Sequence, residues 1–426
     1  MNSKELKVLL VIEQCNPEWA SVPLVGYNFY QQISQLVDAT LVTHARNREA
    51  IEKIRGNQKV VYISESKLIN QYYKLAAKLA DQGTINWPLY HLLTYPVYAE
   101  FNGKVYQKFW RSVARGDYDL VHALTPMMPR YPVKLVKACR HTPFLLGPVN
   151  GGVPFPPGFR ETARKENAHL NFLRTLGRFL IPGYRATYRK ADRILSGSTY
   201  TLNLIKKLFN LADEKISLFY ENGIPQGFFQ PSHRPDTKET IDILFVGRLV
   251  PYKGADMAIE AISRLEESLR LRVQFTIVGD GSERLPLEEL VREKKLTNLV
   301  KFAGWVTQQE TFDYYAQADI FCFPSIREFG GAVVLEAMAC GVPCVVVNNG
   351  GIGEYVSDDT GFKIDPTSRE AVIQGLTEKL SVLIQDGSMR AKMGIYAIER
   401  AKEFEWSRKG KEMVSIYQTL IAQQLH

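Results

Sequence analysis

The sequence predicts an α/β protein made of two Rossmann-like domains, each built on a parallel sheet. Three observations carry this. The chain has 426 residues, enough for two domains that each bury a core. Strands and helices alternate with short links, most regularly over residues 241–347, which is the pattern of a parallel sheet covered on both faces. A stretch rich in Pro and Gly, Asn222–Asp236 (NGIPQGFFQPSHRPD), separates that alternation from a looser one before it. The expected domains are therefore 1–220 and 221–406, with a last helix at about 407–426 packing back on the first.

In the first domain the apolar runs Val8–Ile12, Ala39–Thr43, Val60–Ile63, Leu120–Ala123, Phe144–Leu146 and Arg193–Leu195 read as strands. A helical stretch over about 68–116 is inserted before the strand that carries His122. The second domain opens with strand Ile241–Leu249 and an amphipathic helix, Ala255–Leu269. Strand Val273–Val278, helix Leu285–Leu296, strand Val300–Gly304 and helix Gln309–Ala318 follow. Strand Ile320–Phe323, helix Gly331–Cys340 and strand Pro343–Val347 complete the alternation. Sheets of this kind bind ligands beyond the carboxyl ends of their strands.

Composition is that of a globular chain, 45% hydrophobic and 23% charged. No run approaches the ~20 apolar residues of a membrane span. The N-terminal MNSKELKVLLVIEQ reads as a first strand, not a signal peptide, because Glu13 interrupts its short apolar run. Five cysteines, an odd number without metal-ligand spacing, read as reduced thiols of a cytoplasmic protein. Residues 1–200 hold 27 Lys and Arg against 14 Asp and Glu, a net +13, while the remainder is −5. That asymmetry suggests an anionic partner such as lipid, an acidic glycan or a phosphorylated acceptor. A basic solvated surface fits equally well. No nucleic-acid motif accompanies the charge, so no nucleic-acid partner is expected.

The sharpest feature is SIREFGGAVVLEAMACGVP, residues 325–343. It begins where a strand ends and supplies Glu328 in the loop. Phe329, Gly330 and Gly331 then open a helix that carries Glu336. Adjacent glycines let a ligand approach the backbone, and the free N–H groups of a helix start suit a phosphate. The two carboxylates can accept hydrogen bonds from sugar and ribose hydroxyls. An ordinary βα unit with two solvated glutamates satisfies the periodicity equally well. The second feature, FVGRLVPYKG (245–254), puts Arg248 and Lys253 at the carboxyl end of a strand. Two cations there can neutralise a diphosphate, although such a pair alone is more often surface decoration.

The combination EFGG…LEAMACGVP, GRLVPYKG, FTIVGDG, FCFPS and GGIGEYV closely resembles the retaining GT-B glycosyltransferases of the large family-four group (glycosyl transferases group 1), without a gap through most of 241–363. In the first half the resemblance rests on DLVHALTP, ADRILSGS and ENGI. It implies two domains facing a central cleft and a nucleotide-sugar donor, with uridine diphosphate commoner than guanosine or adenosine. It further implies transfer with retention to a glycolipid, polysaccharide or other glycan or lipid-linked acceptor. By resemblance, Glu328 contacts hydroxyls of the transferred sugar. Backbone N–H groups around Phe329, Gly330 and Gly331 meet the sugar and diphosphate, Glu336 binds the ribose, and Arg248 and Lys253 bind the diphosphate. His122 matches a histidine near the donor sugar and the attacking acceptor, although a packed histidine at a strand end is the plainer reading. Front-side attack is implied, with no cofactor and no metal. A nucleotide-sugar epimerase or hydrolase is the alternative on the same scaffold.

The departures are as informative. Where the family has paired glycines after the first strand, this chain has EQCNPEWASVPLVGYNFY with only Gly26. Asn150 and Gly151, in GPVNGG after strand Phe144–Leu146, are candidates for the acceptor side; a plain tight turn is the alternative. Asp117-Tyr118-Asp119 lies at a strand's start, away from the ligand end, and reads as structural. A NAD-binding role is disfavoured because no G-x-G-x-x-G follows Val8–Gln14. Residues 171–193 interleave aromatics with Arg and Lys and suggest a peripheral site at the inner membrane face; basic helices packed on the core are the alternative.

Overall fold

A computed structural model describes residues 6–80, 90, 93–166, 181–229 and 239–424. The chain forms two units. The first comprises residues 1–152, 167–221 and 406–426, and the second 153–166 and 222–405.

The sheet of the first unit contains β1 (Lys7–Val11), β2 (Asp38–His44), β3 (Lys59–Ile63), β4 (Leu120–Ala123), β5 (Phe144–Val149), β6 (Arg193–Ser196) and β7 (Ile216–Leu218). Their order is β3-β2-β1-β4-β5-β6-β7, and every pair is parallel. Leu9 and Val121 belong to one core cluster, whereas Val8, Leu10 and Leu120 belong to another. Successive residues of a strand therefore feed opposite faces, which is why these strands read as unbroken apolar runs. The helix Trp406–Gln424 belongs to this unit. Trp406 meets Phe29 edge-on at 5.1 Å, and Met413, Tyr417 and Leu420 are buried in the same core.

The second unit holds β8 (Ile241–Val246), β9 (Val273–Val278), β10 (Val300–Gly304), β11 (Ile320–Phe323), β12 (Cys344–Val347) and β13 (Gly361–Ile364). The order is β10-β9-β8-β11-β12-β13, again all parallel. Every residue of β11 and β12 is fully buried.

The sequence missed β7 and β13 because both are short and carry few apolar residues. The run beginning at Ile241 leaves the ladder after Val246, where Leu249 N–H turns to Asp280 O at 2.9 Å. The helix expected over Ala255–Leu269 stops at Ser263 and restarts as Glu267–Arg270, with an extended Glu266 between.

Residues 153–166, which the sequence assigns to the first domain, join the second unit. Val153 O accepts from Arg327 Nε at 2.9 Å, and Pro154 O accepts from Asn349 at 3.4 Å. A Cβ on Gly158 would lie 2.3 Å from Thr367 O, a backbone approach that only glycine permits. Nothing in the local pattern of 153–166 signals these partners, which lie about two hundred residues along the chain. No described helix is long and apolar enough to cross a membrane.

Candidate active site

In the second unit the loops after β8, β9 and β11 carry the unusual residues. The turn after β8 is compact. A Cβ on Gly279 would lie 2.0 Å from Gly247 O, and one on Gly281 would lie 2.3 Å from Leu249 O. The GDG loop after β9 therefore presses directly on the loop that carries Arg248. Arg248 is exposed, and its Nη2 donates to Tyr252 Oη at 3.0 Å. Pro251–Lys253 forms a single 3₁₀ turn that Gly254, at φ 74°, closes.

Lys253 is drawn inward. Its Nζ pairs with the Glu328 carboxylate, and the side chains are only 12% and 15% exposed. The ammonium also lies 4.9 Å from the Phe323 ring centroid, a cation–π distance. Ser325 Oγ donates to Glu328 Oε2 at 3.3 Å. One of the two cations and the loop carboxylate predicted from sequence, 75 residues apart, are thus brought into one pair.

The Glu328 backbone is equally constrained. Its carbonyl accepts from Gly351 N–H at 3.3 Å, and a Cβ on Gly350, at φ 85°, would lie 1.9 Å from that oxygen. Gly331 caps the helix Ala332–Ala339 at φ 63°, where a Cβ would meet Ile352 Cγ2 at 2.3 Å. Gly331 therefore answers two needs, left-handed backbone and close contact with the Asn349–Ile352 turn. Glu336 lies within that helix and accepts from Tyr315 Oη at 2.9 Å. Burial and the adjacent Glu336 charge hold the Tyr315 phenol well above its ordinary value.

Sequence reasoning missed four contributors: Ser325, Tyr252, Tyr315 and Arg327. Arg327 lies with its guanidinium carbon 4.9 Å from the Phe155 ring centroid and 5.4 Å from that of Phe329. Burial lowers its pKa. Burial also raises the pKa of Glu166, opposed by Arg327 and Arg248. The residues 153–166 thus supply a hydrogen-bond acceptor, a ring and a carboxylate to the surroundings of Arg248 and Glu328. Of these four, only Tyr315 lies outside the two motifs, 245–254 and 325–343, that the sequence singled out.

The first-unit candidates are spent on their own unit. His122 on β4 is fully buried. Its Nε2–H donates to Gly147 O, and its Nδ1 accepts from Tyr417 Oη at 2.7 Å; the carbonyl can only accept, so the tautomer is set. Burial pulls its pKa down to about 4, so the ring is neutral. Of the two readings of His122, this geometry supports the packed histidine at a strand end. Gly26 lies within the helix Val22–Ser34, where a Cβ would lie 2.3 Å from Gln14 O, so it is a packing glycine. Asn150 is 4% exposed. Its amide donates to both Glu221 oxygens at 2.7 and 2.8 Å, and its oxygen accepts from Ser198 and Thr201. Gly151 N–H donates to Thr201 Oγ1 at 3.0 Å. Asn150 and Gly151 therefore form a buried polar hub at the carboxyl ends of β5 and β6. Asp119, at the start of β4, accepts from Lys7 N–H at 2.8 Å, a structural tie. Among the described residues no cluster of three His, Cys, Asp or Glu could hold a metal ion.

Comparison with known proteins places this arrangement. The model of the family described as glycosyl transferases group 1 matches residues 228–400, nearly the whole second unit. The chain is 28% identical to a D-inositol 3-phosphate glycosyltransferase of Nocardiopsis dassonvillei over 287 residues, covering 64% of this chain and 66% of that protein. It is 30% identical to a GDP-mannose-dependent monoacylated alpha-(1-6)-phosphatidylinositol monomannoside mannosyltransferase of Corynebacterium glutamicum, covering 57% of this chain and 68% of the relative. The first three curated relatives are matched over 56–66% of their length. Among solved structures, HepE of Anabaena in complex with UDP superposes with a TM-score of 0.64 at 18% identity, covering 97% of this chain and 100% of that one. That likeness shows the fold, an α/β GT-B architecture with two parallel sheets. The glycine-opened helix and its two glutamates lie inside the stretch that the family model matches. With a relative 30% identical over two thirds of its length, the chain belongs to the glycosyl transferases group 1 family.

Proposed function

We propose that the protein transfers a sugar, with retention, from a nucleotide-diphosphate donor to a hydroxyl of a glycan or lipid-linked acceptor. The observation that carries this is the Lys253–Glu328 pair beside a helix opened by glycine. It joins a cation suited to a diphosphate and a carboxylate suited to sugar hydroxyls. In the proposed complex the diphosphate meets Arg248, Lys253 and the backbone N–H groups of Phe329, Gly330 and Gly331. It then competes with Glu328 for Lys253, which turns the carboxylate toward the sugar. Glu336, held by Tyr315, takes the ribose hydroxyls.

Breaking the glycosidic bond builds negative charge on the leaving diphosphate, and fixed cations there stabilise the transition state more than the ground state. No paired carboxylates are given the nucleophile and acid roles of a retaining glycosidase. The acceptor oxygen attacks from the face the diphosphate leaves, and its proton passes to a diphosphate oxygen. This scheme gives His122 no part and needs no metal. A uridine donor is favoured, in keeping with the UDP bound by HepE. The two curated relatives act, by name, on an inositol phosphate and a phosphatidylinositol mannoside, which supports a phosphorylated or lipid-linked acceptor. We place the reaction in the cytoplasm, at the inner membrane face.

Turnover of candidate nucleotide sugars with and without acceptors tests the proposal. Nucleoside diphosphate should be released at least about tenfold faster with the right acceptor than with water alone. Rapid conversion of the donor by itself would instead identify an epimerase or a hydrolase.

A further inference from the structure

The basic character of residues 1–200 needs an address, and 181–193, the described part of the aromatic-basic stretch 171–193, does not supply one. Residues 171–180 lie outside the described residues. In the remainder Tyr184 and Tyr188 are each 1% exposed, and Tyr188 stacks on Phe209 at 4.3 Å with the planes 5° apart. These two rings are spent on the core.

Exposed apolar surface and unpaired positive charge coincide instead on the helix Lys67–Ala80. Lys-Leu occurs three times in it, at 67–68, 74–75 and 78–79. Steps of seven and four residues return to the same helix face. Leu68 is 76% exposed and Leu75 is 58% exposed. The adjoining face already holds the helix to its unit. Ala76 is buried, Tyr72 Oη donates to Leu93 O at 2.8 Å, and Tyr73 Oη lies 3.2 Å from Tyr90 Oη. Leu68 and Leu75 are therefore the exposed flank of the helix's apolar arc, left uncovered beside the part that packs. Lys67–Ala80 contains three lysines and no carboxylate. Among the described residues neither Lys67 nor Lys74 has a carboxylate within ion-pair distance.

We propose that this helix docks the first unit on an anionic lipid bilayer, with the leucines in the acyl boundary and the lysines among the headgroup phosphates. A leucine strip flanked by lysines on a short helix is the composition of an interfacial helix. A second copy of the same face is a poorer occupant. A symmetric pairing would set lysines against lysines with no carboxylate on the helix to offset them. The proposal is independent of the donor chemistry.

The test is co-sedimentation of the full chain with vesicles of phosphatidylglycerol and phosphatidylcholine in equal parts, and of phosphatidylcholine alone. Binding should favour the anionic vesicles and weaken with salt. L68Q/L75Q and K67Q/K74Q should each bind at least about tenfold more weakly while keeping the wild-type melting temperature, since all four side chains are exposed. Absence of wild-type binding, equal binding to neutral vesicles, or variants that bind as well as wild type would each overturn the proposal. So would a wild-type dimer, seen by light scattering, that L68Q/L75Q dissolves.

Discussion

Replacing Glu328 with glutamine is expected to lower sugar transfer by roughly two to three orders of magnitude while the protein stays folded. The change is nearly isosteric, and the Glu328 backbone is held independently by Gly351 N–H and the close approach of Gly350. What disappears is the charge. Glutamine still offers one oxygen, but it no longer answers Lys253 or accepts from two hydroxyls with the strength of a carboxylate. Because Lys253 then loses its resident partner, affinity for the free nucleoside diphosphate should hold or rise. The signature is thus a collapse of turnover without a loss of nucleotide binding, measured by steady-state kinetics and calorimetry on the same preparation. Wild-type turnover in E328Q would remove the carboxylate from the mechanism.

The second large effect concerns stability. H122A should destabilise the first unit by about 3–5 kcal/mol at pH 7.5, combining a cavity with two deprived partners, Tyr417 Oη and Gly147 O. The penalty should depend on pH. The imidazole titrates at about 4 when folded and near its ordinary 6.5 when unfolded. Between those values the unfolded chain binds a proton that the native ring refuses. The contribution is therefore complete above pH 6.5 and lost progressively as pH falls toward 4. Alanine cannot titrate, so the H122A penalty should shrink by about 2–3 kcal/mol between pH 7.5 and pH 4.5. Comparing variant with wild type isolates this slope. His44, whose pKa is also lowered to about 4 chiefly by burial, pushes in the same direction, and Glu13, raised by burial, opposes it. Both remain in both proteins. Urea titrations at the two pH values read the difference. An equal penalty at both would mean that the buried ring is protonated in the folded state.

The second half was the more legible because its physics is local. Glycine runs that open a helix, cations that end a strand and apolar runs buried on both faces all leave marks within ten residues. What stayed hidden depends on partners far along the chain. His122, which by resemblance sits near the donor sugar, is packed by Tyr417 of the C-terminal helix, 295 positions away. Gly26 reads as a loop glycine until the helix that contains it presses on Gln14 O. Tyr315 lies on a helix whose periodicity marks it as core, and nothing in that periodicity says that its hydroxyl holds Glu336. The transfer of residues 153–166 to the second unit rests on Arg327 and Asn349, again remote. Leu68 and Leu75 show the converse, since an amphipathic pattern does not reveal which part of a broad apolar arc finds the core.

The central claim is that Arg248 and Lys253, with the glycine-opened helix, grip the pyrophosphate of an activated sugar. Calorimetric titration with nucleoside diphosphates and their sugars, on wild type and on R248A/K253A, tests it most directly. The account predicts that one nucleoside diphosphate binds wild type and that the double variant binds it at least about a hundredfold more weakly while remaining folded. Equal affinity in the two proteins, or no binding of any activated sugar to wild type, would contradict it.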